Sequence, residues 1–162
     1  MTKILQCVSP IDGSIYLERE TLAPGAAFSA VARARAAQSD WAARPLQERV
    51  DLCLKAVAEV GQTVDQMAIE LAHQMGRPVR YGGEFGGFEE RAFYMAKIAA
   101  SSLESLVVED SSSFRRLIKR EPHGVIFVVA PWNYPYLIAV NALVPGLIAG
   151  NAVILKHATQ TL

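Results

Sequence analysis

Gly124-Val125-Ile126-Phe127-Val128-Val129-Ala130-Pro131-Trp132-Asn133-Tyr134-Pro135, answered further on by Gly150-Asn151-Ala152-Val153-Ile154-Leu155-Lys156, decides the fold. Val125 to Val129 is an unbroken β-branched and aromatic run, which predicts a strand buried on both faces of a parallel sheet. Leu137 to Ala149 is almost wholly apolar and ends at Gly150-Asn151, which predicts a helix that Pro145 kinks or breaks. Val153-Ile154-Leu155 then reads as a second buried strand, so the segment is a βαβ unit. The expected class is α/β. A lone βαβ unit buries too little of two such strands, so the sheet is expected to be incomplete at the C-terminus, with partners from later sequence or another chain.

Upstream the chain is mainly helical. Phe28, Val31, Arg35 and Gln38 recur at helical spacing in the alanine-rich stretch from Ala26 to Trp41. Pro45 suits a first helical turn, and Leu46, Val50, Leu54 and Val57 give the following helix an apolar stripe. Thr63-x-x-Gln66 has the form of a capping box, and Gly76 with Pro78 supplies stop signals. Phe88, Ala92, Met95, Ala99 and Leu103 mark a further amphipathic helix. The glycines of Tyr81-Gly82-Gly83-Glu84-Phe85-Gly86-Gly87 read as a linker, since no strand precedes them and no Lys-Ser/Thr follows, as a phosphate loop requires. Glu109 to Ser113 is a polar turn and Phe114 to Glu121 an exposed strand. At the front, Ile4 to Leu17 reads as two strands around Pro10-Ile11-Asp12-Gly13.

Composition narrows the function. Of 162 residues 51% are hydrophobic, enough for a buried core, and 16 Lys+Arg balance 16 Asp+Glu. Zero net charge gives nucleic-acid binding no support, and Arg115 to Arg120 reads as a solvated strand face. Asn133, Asn141, Pro145 and Gly150 interrupt the longest apolar stretch, which argues against a membrane span. The start, Met1 to Gln6, lacks the apolar core of a signal peptide, so a cytoplasmic location is expected. Cys7 and Cys53 fit no metal or redox spacing and are expected to be inert. No metal site is expected.

Ligands of open α/β sheets bind at the carboxyl ends of the strands, where Ala130 to Pro135 and Lys156 fall. An Asn133 amide on a proline-flanked loop can donate to an oxygen developing negative charge, although Asn between prolines is also ordinary turn chemistry. A Lys156 ammonium can donate to ribose hydroxyls or phosphate oxygens, or simply extend into solvent. No GxGxxG follows Val129.

Glu121-Pro122-His123-Gly124-Val125, Ala130-Pro131-Trp132-Asn133-Tyr134-Pro135 and Gly146-x-x-Ala149-Gly150-Asn151-Ala152-Val153-Ile154-Leu155-Lys156 closely resemble the start of the cofactor domain in the aldehyde dehydrogenase superfamily. The front is similar too, in its hairpin, the Trp41-Ala42 helix end, the Arg49 helix, the Met75-Gly76-Arg77-Pro78 turn and the extended Arg115 to Glu121 segment. The resemblance implies a Rossmann-like sheet preceded by a helical segment and hairpin. It divides the chain into residues 1–113, a hairpin and helices of the cofactor domain, residues 114–122, an extended part of the oligomerisation region, and residues 123–162, the first βαβ unit.

It further implies NAD- or NADP-dependent oxidation of an aldehyde through a cysteine thiohemiacetal, in a homodimer or homotetramer. Asn133 matches the asparagine that stabilises the oxyanion. Lys156 matches the lysine on the adenosine ribose, and Val129, Ala130, Pro131 and Trp132, with Asn133, match the cofactor-cleft segment. Thr159 stands where NAD-preferring members often carry Glu, which leaves room for a 2′-phosphate. His157 replaces the common Pro, as in semialdehyde dehydrogenase-like branches, and takes no catalytic role. The nucleophilic cysteine, general-base glutamate and nicotinamide-side glycine motif of the family lie beyond Leu162, so this chain alone is expected to be an inactive N-terminal part. The alternative is a non-catalytic assembly or cofactor-binding module ending at Leu162. A membrane-surface role for the Leu137 to Ala149 helix is disfavoured because that helix lacks a basic face.

Overall fold

The structure is a computed structural model and describes residues 3–162. The reading of Met1-Thr2 as part of a leaderless start lies outside them. Strands β1 (Ile4–Val8) and β2 (Ile15–Glu20) form the expected antiparallel hairpin, with Cys7 opposite Leu17. Asp12 makes its turn, accepting the Ser14 N–H at 3.0 Å and the Ser14 hydroxyl at 2.7 Å. Those bonds hold the Asp12 carboxyl below the ordinary carboxylate range.

Helices α1 (Pro24–Ala43), α2 (Leu46–Gly61), α3 (Val64–Met75) and α4 (Phe85–Leu103) follow. The core is built by α2 and α4 against a later helix, α5 (Pro135–Ile148), through Val50, Cys53, Val57, Ala92, Ala99, Val140, Val144 and Ile148. These residues recur at three- and four-residue spacing on α2 and α5 and seven apart on α4, so each helix turns one stripe inward. Helix α1 buries no residue and leaves Phe28 77% exposed, while Trp41 near its C-terminal end packs against the core and two polar ties fix the same end. Gln38 Nε2 donates to the Gly150 carbonyl at 3.0 Å and Trp41 Nε1 to the Leu147 carbonyl at 2.8 Å.

Three local expectations are corrected. Pro45 precedes α2 as its N-cap instead of entering its first turn. The Thr63 capping box does not form, because Thr63 sits at φ −110°, ψ 14° and its hydroxyl donates back to the Val60 carbonyl at 2.8 Å. A capping side chain needs extended backbone, which the tight α2–α3 junction denies it. Helix α4 starts at Phe85 rather than Phe88 and includes Gly86 and Gly87. A Cβ on Gly87 would lie 3.0 Å from Leu137 Cδ1, so glycine here admits the close approach of α5. The stop at Gly76 is as expected, with φ +77° and its N–H on the Ala72 carbonyl at 2.9 Å.

Strands β3 (Leu106–Asp110) and β4 (Arg115–Ile118) pair antiparallel as an exposed ribbon. Strand β4 lies within the expected exposed strand, whereas β3 is unexpected, its Leu-Val-Val-Glu-Asp lacking period-two alternation, and the turn begins at Ser111, not Glu109.

Strands β5 (Val125–Val129) and β6 (Ala152–Lys156) pair in parallel, connected by α5. Ile126, Val128, Val153 and Leu155 lie on the face that α5 covers, and a Cβ on Gly146 would stand 3.2 Å from Ile126 Cδ1. The expectation of burial on both faces is corrected, since Phe127 is 63% and Val129 60% exposed. They point to the opposite face, where α1 stands off the sheet and leaves a cavity. Pro145 does not break α5, which continues to Ile148. Among the described residues, no helix is long and apolar enough to cross a membrane.

Candidate functional site

The parallel register brings the predicted residues to one sheet edge. Val129 is the partner of Lys156, and the Ala130 N–H donates to the Lys156 carbonyl at 3.0 Å. The two strands therefore end together, with the Pro131 to Tyr134 loop leaving one and the His157 to Thr161 segment the other.

Lys156 and Thr159 share a cavity of about 610 Å3 between the sheet and α1, walled by Val31, Val125, Phe127 and Ile154. Period two places Phe127, Ile154 and Lys156 on this face. Lys156 is exposed, and its Nζ donates to the adjacent His157 carbonyl at 2.8 Å, a bond that a ligand oxygen can replace. An apolar floor beside a cation and a hydroxyl fits a nucleoside with its ribose, a planar apolar body with a polar rim. Thr159 adds no negative charge. His157 is exposed, with Nδ1 2.9 Å from the Ala158 carbonyl.

Asn133 and Trp132 lie elsewhere on the edge, both exposed on the loop after β5, while Ala130 is buried beneath it. Val129 shares the face of Lys156, and half-buried Pro131 begins the loop. Trp132 lines a separate cavity of about 340 Å3 with Pro10, Met75 and Gln160. The structure thus joins Lys156 with Thr159 and sets Asn133 on the adjoining loop.

Two residues that the sequence reading leaves in a turn and a glycine linker prove to hold this loop. Arg77 donates to the Asn133 carbonyl at 2.6 Å and to Glu84 Oε1 at 2.6 Å, and its guanidinium carbon lies 4.6 Å from the Tyr134 ring centre. Glu84 Oε2 accepts the Leu137 N–H at 2.8 Å, in the first turn of α5. The Glu84 side chain is 1% exposed. The available signal is the acid itself, set between Gly83 and an apolar helix start, where a carboxylate has no reason to be buried unless paired.

Neither cysteine has a nucleophile's setting. Cys7 is wholly buried with its thiol donating to the Gln160 carbonyl at 3.1 Å, and Cys53 lies in the helical core. Burial pushes both thiols up, against a smaller opposing effect of Arg49 on Cys53. No group of three or more His, Cys, Asp or Glu suited to a metal occurs among the described residues.

Comparison with known proteins finds relatives of this chain along nearly its whole length. The model of the aldehyde dehydrogenase family matches residues 2–162. The N-succinylglutamate 5-semialdehyde dehydrogenase of Novosphingobium aromaticivorans is 31% identical over 140 residues, covering 81% of this chain and 28% of that protein. The probable succinate-semialdehyde dehydrogenase [NADP(+)] of Sinorhizobium fredii is 29% identical over 156 residues, 94% of this chain and 31% of its own length. Among solved structures, the NADP-dependent glyceraldehyde-3-phosphate dehydrogenase from Bacillus halodurans C-125 complexed with NADP superposes with a TM-score of 0.89 at 26% identity, covering 98% of this chain and 35% of that one. The chain thus spans about a third of the length of these relatives.

Proposed function

The chain belongs to the aldehyde dehydrogenase family, and from that premise we propose that it supplies the N-terminal part of an NAD(P)-dependent enzyme oxidising an aldehyde to a carboxylic acid. The observation that carries the proposal is the register of Val129 with Lys156, which puts the Asn133 loop and the Lys156 cavity on one sheet edge. Semialdehydes are the proposed substrate class, supported by the semialdehyde dehydrogenases among its relatives.

The nicotinamide cofactor, when bound, accepts the hydride of the aldehyde carbon. This chain's residues bind and orient. Lys156 donates to the ribose hydroxyls from the cavity rim, with Phe127 and Ile154 offering an apolar floor. Thr159 leaves a 2′-phosphate unopposed by charge, so NADP is accepted alongside NAD. The Asn133 amide donates to the aldehyde oxygen as it becomes an oxyanion, and Val129, Ala130, Pro131 and Trp132 shape the cleft beside it. The nucleophile and general base belong to sequence outside residues 1–162. A cytoplasmic homodimer or homotetramer, joined partly through the β3–β4 ribbon, completes the proposal.

The test is aldehyde turnover by the protein at the length of its relatives, offered semialdehydes with NAD or NADP. Reduced nicotinamide and carboxylic acid appearing in equal amounts support the proposal. Failure to reduce either cofactor with any aldehyde defeats it.

A further inference from the structure

We propose that Arg77 and Glu84 are positioning residues, which hold the Asn133 loop so that its amide meets the developing oxyanion. The inference rests on the oxyanion role proposed for Asn133. It begins from an ion pair whose energetics need a reason. Glu84 is 1% and Arg77 14% exposed in their side chains, and burying two charges commonly gains no stability over an apolar pair of similar volume.

What the pair adds is geometry. Each partner divides its hydrogen-bonding groups between the other and the Asn133 segment. The guanidinium sends one nitrogen to Glu84 and the second to the Asn133 carbonyl, both at 2.6 Å, and lies against the Tyr134 ring. The carboxylate sends its second oxygen to the Leu137 N–H at 2.8 Å. That N–H is one of the donors that a helix start leaves without an intrahelical partner, and the α5 N-cap, Tyr134, supplies no side-chain cap. Residues 133 to 137 are thus gripped at a carbonyl, a ring and an amide by two side chains.

The backbone that carries them is shaped for this purpose. Gly82 turns the chain at φ +67°. Gly87 admits Leu137 against α4. The glycine-rich segment therefore brings Glu84 beneath the start of α5. Asn133 itself is exposed and sits on a loop, where an unsupported amide would sample many orientations, and a displacement of about 1 Å can cost roughly 100-fold in rate.

The test uses the full-length enzyme with Glu84→Gln, Arg77→Lys, Asn133→Ala and the double variant Glu84→Gln/Asn133→Ala. Glu84→Gln is expected to lower kcat by roughly 10- to 100-fold, with KM for aldehyde and cofactor within about threefold. Arg77→Lys, which keeps the charge but not the planar fork, is expected to lose less than Glu84→Gln. In the Asn133→Ala background, Glu84→Gln should cost less than about threefold more, since the amide it positions is gone. Hydrogen exchange should quicken in residues 131–138 and stay unchanged in residues 50–57.

An undiminished kcat in both Glu84→Gln and Arg77→Lys, or an equal loss from Glu84→Gln with and without Asn133, would overturn the positioning role. If Glu84→Gln does not fold, the same reading comes from Arg77→Lys alone and combined with Asn133→Ala. Wild-type kcat in Asn133→Ala would instead overturn the oxyanion role beneath it, so the two failures are distinguishable.

Discussion

Asn151 ties both strands of the parallel pair to the helix between them: its Oδ1 accepts the Gly124 N–H at 3.0 Å and its Nδ2 donates to the Gly146 carbonyl at 3.0 Å. The side chain leads into β6, bonds the residue before β5 and reaches the last turns of α5. It is 3% exposed, so neither partner gains water when it is removed. Asn151→Ala is expected to cost about 1–3 kcal/mol, because it leaves the buried Gly124 N–H unpaired, while the Gly146 carbonyl keeps the backbone N–H of residue 151 at 3.1 Å. Denaturant unfolding of the full-length protein reads this as a lowered midpoint, and an unmoved midpoint would contradict it.

Arg49 does similar work between helices. Its Nε donates to the Ile148 carbonyl at 2.9 Å, and one terminal nitrogen donates to Ala42 at 3.1 Å and to the Arg44 carbonyl. The ends of α1 and α5 thus share one guanidinium, which also answers the negative ends of both helix dipoles. Arg49→Met should destabilise by about 1.5–3 kcal/mol, and Arg49→Lys should recover only part, lacking the fork. Thermal unfolding of the three proteins checks the order.

Much of this architecture was legible in the chain and some of it was not, for identifiable reasons. Val125 to Val129 and Val153 to Leu155 announce parallel strands by continuous apolar character, and Gly76 and Gly150 mark helix ends by needing positive φ. Strand β3 is not legible because Leu106-Val107-Val108 follows the apolar stripe of α4 closely and does not alternate with period two. The exposure of Phe127 is not legible either, because a strand's sequence reports its apolarity but not the distance at which α1 stands. Asn133 and Lys156 could be placed by strand ends alone. Arg77 and Glu84 could not, since they come together with residues about fifty positions away through contacts that no local spacing encodes.

The buried thiols make a pH prediction. Burial raises Cys7 and Cys53, so the folded chain keeps those protons to higher pH than the unfolded chain. Their contribution to stability is complete below the ordinary thiol range and is lost as pH rises from that range through the raised one of the folded chain. Tyr136, raised by burial and then by Glu70 and Glu84, acts with the same sign at higher pH. Unfolding midpoints should fall on the alkaline side, and peptide mapping after iodoacetamide at neutral pH should find Cys7 and Cys53 unlabelled. Labelling at the rate of a free cysteine would contradict this.

Lys156 is expected to act on cofactor affinity alone. Losing a hydrogen bond from a charged donor costs about 1.5–3 kcal/mol, so Lys156→Ala should weaken cofactor binding roughly 10- to 100-fold while kcat at saturating cofactor stays near wild type. Equilibrium titration of the full-length protein with NAD and NADP measures the first, and steady-state kinetics the second. Unchanged affinity for both cofactors would remove Lys156 from the binding site.

The most direct test concerns Asn133. In the full-length enzyme with saturating aldehyde and cofactor, Asn133→Ala is predicted to lower kcat by roughly 100- to 1,000-fold, the cost of one oxyanion donor, with cofactor affinity preserved. A variant that turns over at the wild-type rate would contradict the placement of the chemistry at this sheet edge.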